Sequence, residues 1–223
     1  PQPAFHLGIG GGSHGANTGR MLEAIEQVLL AEKPDALLVY GDTDSTLAGA
    51  LAASKLKIPV LHVEAGLRSF NRHQPEEQNR VLTDHLAELC FAPTDTAVGH
   101  LRREGIAEER IVRTGDVMAD AARLFGEQAE AQASELLSEL ALPPGPFILA
   151  TIHRAENTDA PPRLAAILTA LSQAPLPVLL PLHPRTRARI AEQGLEALLR
   201  GLTPCEPLGF LAMVLLERQA ALV

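Results

Sequence analysis

The sequence predicts an α/β fold built on parallel sheets. Short apolar runs of strand length alternate with longer segments whose apolar residues recur every three or four positions. This alternation begins near residue 17 and resumes after a proline-rich interruption at 143–146. Strands joined by helical crossovers pair in parallel, so the carboxyl ends of successive strands are expected to meet at one edge of a sheet.

The first half of the chain predicts four helices and four strands. Pro34 ends the first helix, because proline cannot continue a helical hydrogen-bond ladder, and the strand at 35–40 is expected to be buried on both faces. Asp44 is the expected cap of the second helix, and Pro75 suits the first position of the third. The predicted helices are 17–33, 46–56, one from Pro75 and 94–104; the strands are 35–40, 58–63, 88–92 and 110–114.

The second half repeats the pattern after a helical region at 119–142. The run Pro-Pro-Gly-Pro at 143–146 predicts a linker between a first domain, 1–142, and a second, 147–223. The chain starts without a leading strand and stops inside an element, so we expect a fragment in which both domains are incomplete. The predicted strands are 147–152, 178–182 and one beginning at 219; the helices are 161–172, 185–200 and 210–218.

Charge and composition exclude several classes of partner. The 19 Lys and Arg residues against 27 Asp and Glu give a net charge of −8, and aromatic residues make up only 3%. Such a chain lacks the basic groove and stacking platforms of nucleic-acid binding proteins. No apolar run approaches the roughly 18 residues of a membrane span, and no signal peptide is recognised. We therefore expect a cytoplasmic protein without a membrane partner.

Two further sequence patterns indicate little about function. Cys90 and Cys205 stand alone, which predicts free thiols rather than a disulfide or zinc site. Gly10, Gly12 and Gly15 satisfy G-x-G-x-x-G, but the preceding segment is a poor strand and the expected acidic residue comes too late. A flexible loop that leads into a helix is the preferred interpretation, and no cofactor is expected.

Three acidic residues follow predicted strands or begin a predicted helix. Asp42 follows the strand at 35–40, and Glu64 follows the strand at 58–63. If these strands are neighbours, the strands lie only about 5 Å apart. Both acids are then at the edge where parallel sheets bind ligands. Glu76 opens the third helix, where the alternative interpretation is an ordinary helix-start acid paired with Arg80 four positions later.

The second half brings basic and imidazole groups to the same kind of position. His153 and Arg154 follow the strand at 147–152, and His183 follows the strand at 178–182. His153 and Arg154, together with Arg80, predict binding of an anionic group, beside which the carboxylates transfer protons. The motifs G-x-S-x-G and H-E-x-x-H are absent. The residues therefore favour acid/base chemistry on a phosphate-bearing small molecule, without a metal.

Several other polar residues are expected to be structural. The histidines His14, His62, His85 and His100 are interpreted as loop, core or surface residues, with a hydrogen bond from His62 to Glu64 as one option. The acids Asp44, Glu77, Asp84 and Glu156 are interpreted as caps or solvated residues.

Six segments carry motifs that occur in one known family, in the same order and spacing. They are YGDTDSTLAG at 40–49, HVEAGLR at 62–68, PEEQNR at 75–80, FAPT at 91–94, TGDV at 114–117 and TIHRAEN at 151–157. The chain resembles the non-hydrolysing UDP-N-acetylglucosamine 2-epimerases. The run Gly-Ser-His-Gly at 12–15 further resembles the branch that includes UDP-2,3-diacetamido-glucuronate 2-epimerases.

The resemblance implies a GT-B-like pair of Rossmann-type domains and an isomerase of polysaccharide biosynthesis. The implied reaction is reversible inversion at C2 by anti elimination of UDP to a 2-acetamidoglucal and re-addition. Matched by motif, the catalytic set is Asp42, Glu64, Glu76 and His153, and the substrate-side or effector-side set is Arg80, Arg154 and His183. The implied partners are a UDP-sugar substrate, the same UDP-sugar as effector, and a second copy in a homodimer.

The chain departs from the family at both ends. A Gly-Thr-Arg-Pro-Glu loop is absent, as is a Thr-Asp-Ser-Gly-Gly motif expected after Val223, so the chain alone is expected to turn over little substrate. Two alternatives stay open: another GT-B enzyme, either a hydrolysing epimerase or a glycosyltransferase, and a non-catalytic nucleotide-sugar-binding fragment. The sequence does not choose between the N-acetylglucosamine and diacetamido-glucuronate substrates.

Overall fold

The computed structural model describes residues 2–137, 140, 142 and 145–223. Contacts divide the chain into two compact units, one that ends at Met118 and one from Ala119 to Val223. Each unit contains a sheet of parallel strands, four strands in the first and three in the second. The predicted α/β class with parallel sheets is therefore confirmed in both units.

The first unit orders its strands as they occur in the sequence, β1-β2-β3-β4. The register pairs Val39 with His62 and Tyr40 with Val63, so β1 and β2 end side by side. The strands are β1 (Leu37–Tyr40), β2 (Val60–Val63), β3 (Leu89–Ala92) and β4 (Ile111–Arg113); the helices are α1 (His14–Glu32), α2 (Asp44–Lys55), α3 (Pro75–Leu86) and α4 (Asp95–Arg103).

Local sequence explains where these helices begin and end. Lys33 adopts a left-handed conformation after α1, and Pro34 follows it. Pro75 occupies the first turn of α3 as predicted, and the Thr94 hydroxyl accepts a hydrogen bond from the Ala97 amide at 3.1 Å to cap α4. The sequence signals for these ends are thus correct to within a few residues.

The prediction that β1 is buried on both faces is wrong for the described residues. Val39 is buried, but Leu38 and Tyr40 are 44% and 59% exposed. Helices α1, α2 and α4 contribute to one hydrophobic cluster with the buried residues of the strands. Successive side chains of a strand point to opposite faces, so Leu38 and Tyr40 lie on the face opposite Val39.

The second unit has the order β5-β6-β7. Its central strand is buried along its whole length, between one cluster with α8 and another with α10. The backbone of Leu222 bridges β5 in parallel. The strands are β5 (Ile148–Leu149), β6 (Val178–Pro181) and β7 (Thr203–Cys205); the helices are α5 (Val117–Ala131), α6 (Ala133–Leu136), α7 (Ala155–Thr158), α8 (Pro161–Ser172), α9 (Pro184–Glu192) and α10 (Phe210–Gln219).

Three element predictions in the second unit need correction. The helix predicted at 185–200 ends at Glu192, and a 3-10 turn, Glu196–Gly201, follows. Gly194 between them has φ +67°, a conformation that interrupts a helix. The predicted strand at 147–152 is paired only at Ile148–Leu149. Strand β7 lies in a segment for which the sequence predicts no strand.

The division between the units does not coincide with the predicted linker at 143–146. Pro143 and Pro144 lie outside the described residues, and Gly145 and Pro146 form a bend before β5. Helix α5 lies in the second unit from Ala119 onward, where Phe125 packs edge-to-face against Phe210. The domain limits 1–142 and 147–223 stay a prediction. Among the described residues, no helix is long and apolar enough to cross a membrane.

Candidate functional site

The structure brings two of the three predicted acidic residues together at the carboxyl edge of the first sheet. Asp42 follows β1 and Glu64 follows β2, its neighbour in register. Arg80 Nη2 lies 2.5 Å from Asp42 Oδ2 and 3.9 Å from Glu64 Oε2. One guanidinium therefore lies between two carboxylates delivered by separate strands.

This group remains open to a ligand. The side chains of Asp42 and Glu64 are 26% and 24% exposed, and that of Arg80 is 14% exposed. The Nε of Arg80 is buried without a hydrogen-bond partner among the described residues. Buried donors are normally paired, so the guanidinium retains hydrogen-bonding capacity beyond its contact with the two acids.

The backbone of Glu64 adopts an unusual conformation. Its φ is +72°, in the left-handed region that residues with a side chain rarely occupy. Gly41 has φ +65°, and a Cβ added there would lie 3.4 Å from Glu64 Oε2. The two turns are therefore fitted to each other, and Glu64 is held in a strained conformation of the kind that clusters at functional sites.

Glu76 occupies a different position from the other two acids. It is exposed in the first turn of α3, and no hydrogen bond or ion pair joins it to another described residue. The alternative of a pair between Glu76 and Arg80 is wrong, because Arg80 binds the strand-end carboxylates instead. Glu76 is thus a free carboxylate on the helix that supplies Arg80.

Glu77 was expected to be a cap or solvated residue, and it is instead buried. Its carboxylate accepts hydrogen bonds from the amides of Ser69 and Phe70 and from the Ser69 hydroxyl. Burial raises the pKa of the Glu77 carboxyl, but these hydrogen bonds and the charge of Arg68 outweigh it and lower the pKa below its usual range. Glu77 therefore anchors the loop that follows Glu64.

A fully buried ionic network lies directly beneath the carboxylate edge. His62 and Asp84 have no exposed side-chain surface, and His62 Nδ1 lies 2.6 Å from Asp84 Oδ1. Asp84 Oδ2 accepts from the Gly66 amide at 3.0 Å and lies 2.7 Å from Arg68 Nη2. The suggested hydrogen bond from His62 to Glu64 is replaced by this pair, and the interpretation of Asp84 as a cap or solvated residue is wrong.

The network continues outward through Arg68, which donates two hydrogen bonds to Glu104 at 2.8 and 2.6 Å. Burial lowers the pKa of the Arg68 guanidinium, but its bonds to Glu104 and the charge of Asp84 outweigh this and raise the pKa above its ordinary value. In α3, Asp84 is buried while Leu82 is 51% exposed. The polar face of the helix, rather than an apolar one, meets the sheet.

A cavity of about 390 Å³ lies at the amino-terminal ends of α1, α2 and α3. His14 Nδ1 lies 2.8 Å from Asp44 Oδ2 at its edge. Asn79 Nδ2 donates to the Asp42 carbonyl at 2.9 Å and to Asp44 Oδ1 at 3.2 Å. Asp44 is therefore not the predicted cap, since Thr43 holds that position. The other lining residues are Gly15, Thr18, Gly19, Pro75 and Gln78.

The second unit presents its predicted site residues at the carboxyl edge of its own sheet. His153 follows β5 and His183 follows β6, and their ring centroids lie 6.2 Å apart. His183 Nδ1 accepts a hydrogen bond from the Arg185 amide at 3.2 Å, so a proton on a neutral ring resides on Nε2. Arg154 precedes α7 and is exposed. The three side chains offer donors suited to an anion.

Neither edge resembles a metal centre. Within the part of the chain that the structure describes, no three His, Cys, Asp or Glu side chains are grouped so that they could hold a metal ion.

Comparisons with known proteins identify close relatives. The family model described as UDP-N-acetylglucosamine 2-epimerase matches residues 1–223. A UDP-2,3-diacetamido-2,3-dideoxy-D-glucuronate 2-epimerase of Pseudomonas aeruginosa is 50% identical over 228 residues, which cover 100% of this chain and 62% of the relative. The chain thus spans about six tenths of the length of the curated relatives first matched.

Solved structures agree with the sequence matches. A Methanocaldococcus jannaschii UDP-GlcNAc 2-epimerase in complex with UDP-GlcNAc and UDP is 44% identical with a TM-score of 0.86, covering 99% of this chain and 62% of that one. A Neisseria meningitidis UDP-GlcNAc 2-epimerase bound to UDP-GlcNAc is 34% identical with a TM-score of 0.82. The match covers 94% of this chain and 59% of that one. The predicted α/β, GT-B-like fold class is therefore confirmed.

Proposed function

Because the chain belongs to the UDP-N-acetylglucosamine 2-epimerase family, we propose that its protein reversibly inverts C2 of a UDP-2-acetamido sugar. The observation that carries this proposal is the pair of carboxylates, Asp42 and Glu64, that share Arg80 at neighbouring strand ends. Inversion at carbon needs one group to remove a proton and another to return one to the opposite face. Two positioned carboxylates at one ligand-accessible edge meet that need.

The proposed reaction has two balanced steps. A carboxylate removes the C2 proton while the bond from C1 to the UDP oxygen breaks, which leaves a 2-acetamidoglucal and UDP. In the second step UDP adds back to C1, and a carboxylic acid delivers a proton to the other face of C2. We assign proton transfer to Asp42, Glu64 and Glu76, of which Glu76 is exposed and unpaired among the described residues.

Arg80 has a defined role in this scheme. Two carboxylates at close range repel each other, and the positive charge between them reduces that repulsion. Proton transfer changes the charge at this site at each step, so a shared guanidinium stabilises both stages. The Arg80 side chain is 14% exposed, so its outer part is accessible to a substrate.

We assign the binding of the UDP phosphates to the second unit. His153 and Arg154 follow β5, and both are exposed at the carboxyl edge of the second sheet. Arginine and imidazole donors suit phosphate oxygens. The relatives named above act on, or bind, two different sugars, so both UDP-GlcNAc and its diacetamido-glucuronate analogue are candidate substrates.

The test is incorporation of solvent hydrogen at C2. The protein in the form its own cells make, and the 223-residue chain alone in parallel, is incubated with each candidate UDP-sugar in heavy water and followed by NMR. Deuterium at C2 together with the C2 epimer is expected. Release of free sugar instead would identify a hydrolysing enzyme, and absence of exchange with both sugars would reject the proposal.

Matched variants link the exchange to the carboxylates. Asp42→Asn and Glu64→Gln should each reduce exchange by about 10² to 10⁴-fold, the usual contribution of a positioned acid or base. Asp95→Asn is the control, because Asp95 is an exposed acid whose partner is Arg113 on the surface. Equal losses in all three variants would point to a general effect on folding.

Two further proposals concern assembly and regulation. We propose a homodimer, and we propose that the UDP-sugar also acts as an effector through a pocket that includes His183. Both rest on membership of the family. Sedimentation analysis tests the first, and rate curves for wild type and His183→Asn test the second, where loss of sigmoidal dependence on substrate is expected in the variant.

A further inference from the structure

His62 occupies a buried position in which both ring nitrogens face acceptors. Nδ1 lies 2.6 Å from Asp84 Oδ1, and Nε2 lies 2.8 Å from the carbonyl oxygen of Gly41. A carbonyl oxygen can only accept. A neutral ring carries one proton, so one of its two contacts would set a nitrogen lone pair against an oxygen unless Asp84 supplied a proton.

Asp84 is placed as a carboxylate rather than an acid. Its Oδ2 accepts the amide proton of Gly66 at 3.0 Å and lies 2.7 Å from the guanidinium of Arg68, while its Oδ1 faces His62. Donors and a positive charge on a carboxyl favour its ionised form. The Asp84 side chain is therefore an acceptor at both oxygens, which leaves both protons on His62.

The charges of the network balance in this assignment. His62 and Arg68 contribute two positive charges, and Asp84 and Glu104 contribute two negative charges, with Arg68 held between the two acids. Buried charges persist only when they are paired and hydrogen-bonded. Cys90, the neighbour of His62 on β3, adds no charge, because burial raises the pKa of its thiol to about 12.

The contacts of this network reach both turns that carry the strand-end acids. The Gly41 amide donates to the Val63 carbonyl at 3.1 Å, and its carbonyl receives His62. Both backbone polar groups of Gly41, the residue before Asp42, are thus held by hydrogen bonds. Asp84 binds the Gly66 amide two residues after Glu64. One buried pair therefore fixes both turns relative to α3.

We propose that His62 is a buried imidazolium which, paired with Asp84, positions the Asp42 turn relative to the Glu64 turn for proton transfer. The effect on turnover rests on the proposed function, whereas the protonation state and the turn geometry do not. His62 and Asp84 are positioning residues, because their side chains have no exposed surface and cannot contact a substrate.

The first test is spectroscopic and uses the wild-type protein in its native form. Long-range ¹H–¹⁵N correlation of the histidine rings should show both His62 nitrogens protonated at neutral pH. In Asp84→Asn one of them should lose its proton, and the backbone amide signals of Asp42 and Glu64 should move. A single protonated nitrogen in the wild type would overturn the proposal, whatever the activity.

The second test is kinetic. His62→Gln and Asp84→Asn should lower kcat by about 10- to 100-fold, because small errors in placing reacting groups are costly, with KM changed by less than about threefold. Thr83→Val is the matched control, since Thr83 is buried on the same helix and its hydroxyl has no hydrogen-bond partner among the described residues. This variant should keep wild-type kcat and amide signals.

The outcomes separate this proposal from the proposed function. Wild-type kcat in His62→Gln and Asp84→Asn would overturn the positioning role. If these variants do not fold, the ring signals of the wild type still decide the protonation state. If the wild type catalyses no exchange, the proposed function fails, while the amide signals of Asp42 and Glu64 still test the geometry.

Discussion

Arg80 donates a 2.5 Å hydrogen bond to Asp42 across the gap between helix α3 and the end of strand β1. The contact joins residues 38 positions apart in the chain. It also brings the same guanidinium to within 3.9 Å of Glu64. The two acids proposed to transfer protons are therefore organised by a positive charge from a third element, so changes to Arg80 should affect both acids together.

We expect Arg80→Met to reduce C2 exchange by at least about tenfold, which corresponds to about 1.4 kcal/mol of transition-state stabilisation. The free energy of unfolding should fall by about 1 kcal/mol or less, because about a quarter of the surface of each acid is solvated. Exchange rates and urea titrations measure the two effects. Arg113→Met, which breaks a surface pair with Asp95, should change neither.

The left-handed conformation of Glu64 predicts a conflict between stability and activity. Glu64→Gly removes the steric penalty at φ +72° and should raise the free energy of unfolding by about 1 kcal/mol. The same change removes a proposed acid/base group and should abolish exchange. Lys57→Gly is the control, since Lys57 is exposed at φ +61° after α2. It should stabilise by a similar amount and keep full exchange; a destabilised Glu64→Gly protein would show that the strain is absent.

Gly66 has no room for a side chain. Its φ is +79°, and an added Cβ would lie 2.5 Å from the Ala97 carbonyl oxygen, a backbone atom. Gly66→Ala should therefore lower the free energy of unfolding by about 2 kcal/mol or more. Gly99→Ala lies in α4, where no other described residue comes within 4 Å of the added Cβ outside the helix's own backbone. It should instead raise the free energy of unfolding by about 0.5 to 1 kcal/mol. Equal effects of the two substitutions in urea denaturation would contradict this account.

Much of the fold follows from local sequence, because periodicity and helix-end signals are local properties. Helix Pro161–Ser172 matches the prediction at both ends. The positions of Asp42 and Glu64 were also predictable, since parallel strands bring their carboxyl ends together. Strand β7 was missed because Pro204 normally argues against a strand; an edge strand tolerates it where the missing amide is not needed.

The partners of charged side chains were less predictable. Helical spacing allows Arg80 to pair with Glu76, and only the three-dimensional placement of β1 and β2 shows that Asp42 takes that position. Asp84 has the sequence features of a surface acid, and its burial depends on His62, which lies 22 residues earlier in the chain. A buried ion pair is encoded by both partners at once, so neither residue reveals it alone.

The hydrogen bonds of the buried Glu77 carboxylate predict how the free energy of unfolding depends on pH. Its pKa is lower in the folded protein than the usual value of about 4.3. A carboxyl whose pKa is lowered by folding stabilises the folded protein fully at any pH above its pKa in the unfolded chain. This stabilisation is lost as the pH falls through its pKa in the folded protein. Glu77→Gln should therefore cost about 1 to 3 kcal/mol near pH 7.

The cost of Glu77→Gln should shrink as the pH falls below about 4. Urea titrations of wild type and variant between neutral and acidic pH measure the change. Glu109→Gln is the control, because Glu109 is exposed and its substitution should change the free energy of unfolding by less than about 0.5 kcal/mol. A cost for Glu77→Gln that stays constant to acidic pH would show that its carboxylate is not stabilised by the Ser69 and Phe70 amides.

The two free cysteines should react with thiol reagents at very different rates. Cys90 is fully buried, and burial, together with the charge of Asp84, raises its pKa to about 12. Cys205 is partly buried, and burial raises its pKa to a lesser extent. Because the thiolate is the reactive form, at pH 8 only Cys205 should be modified in the folded protein.

Cys90 should react only on unfolding. Its rate of modification should increase in Asp84→Asn, because that substitution destabilises the buried network beside Cys90. Modification of Cys90 in the native state at the rate of Cys205 would show that strand β3 opens without global unfolding.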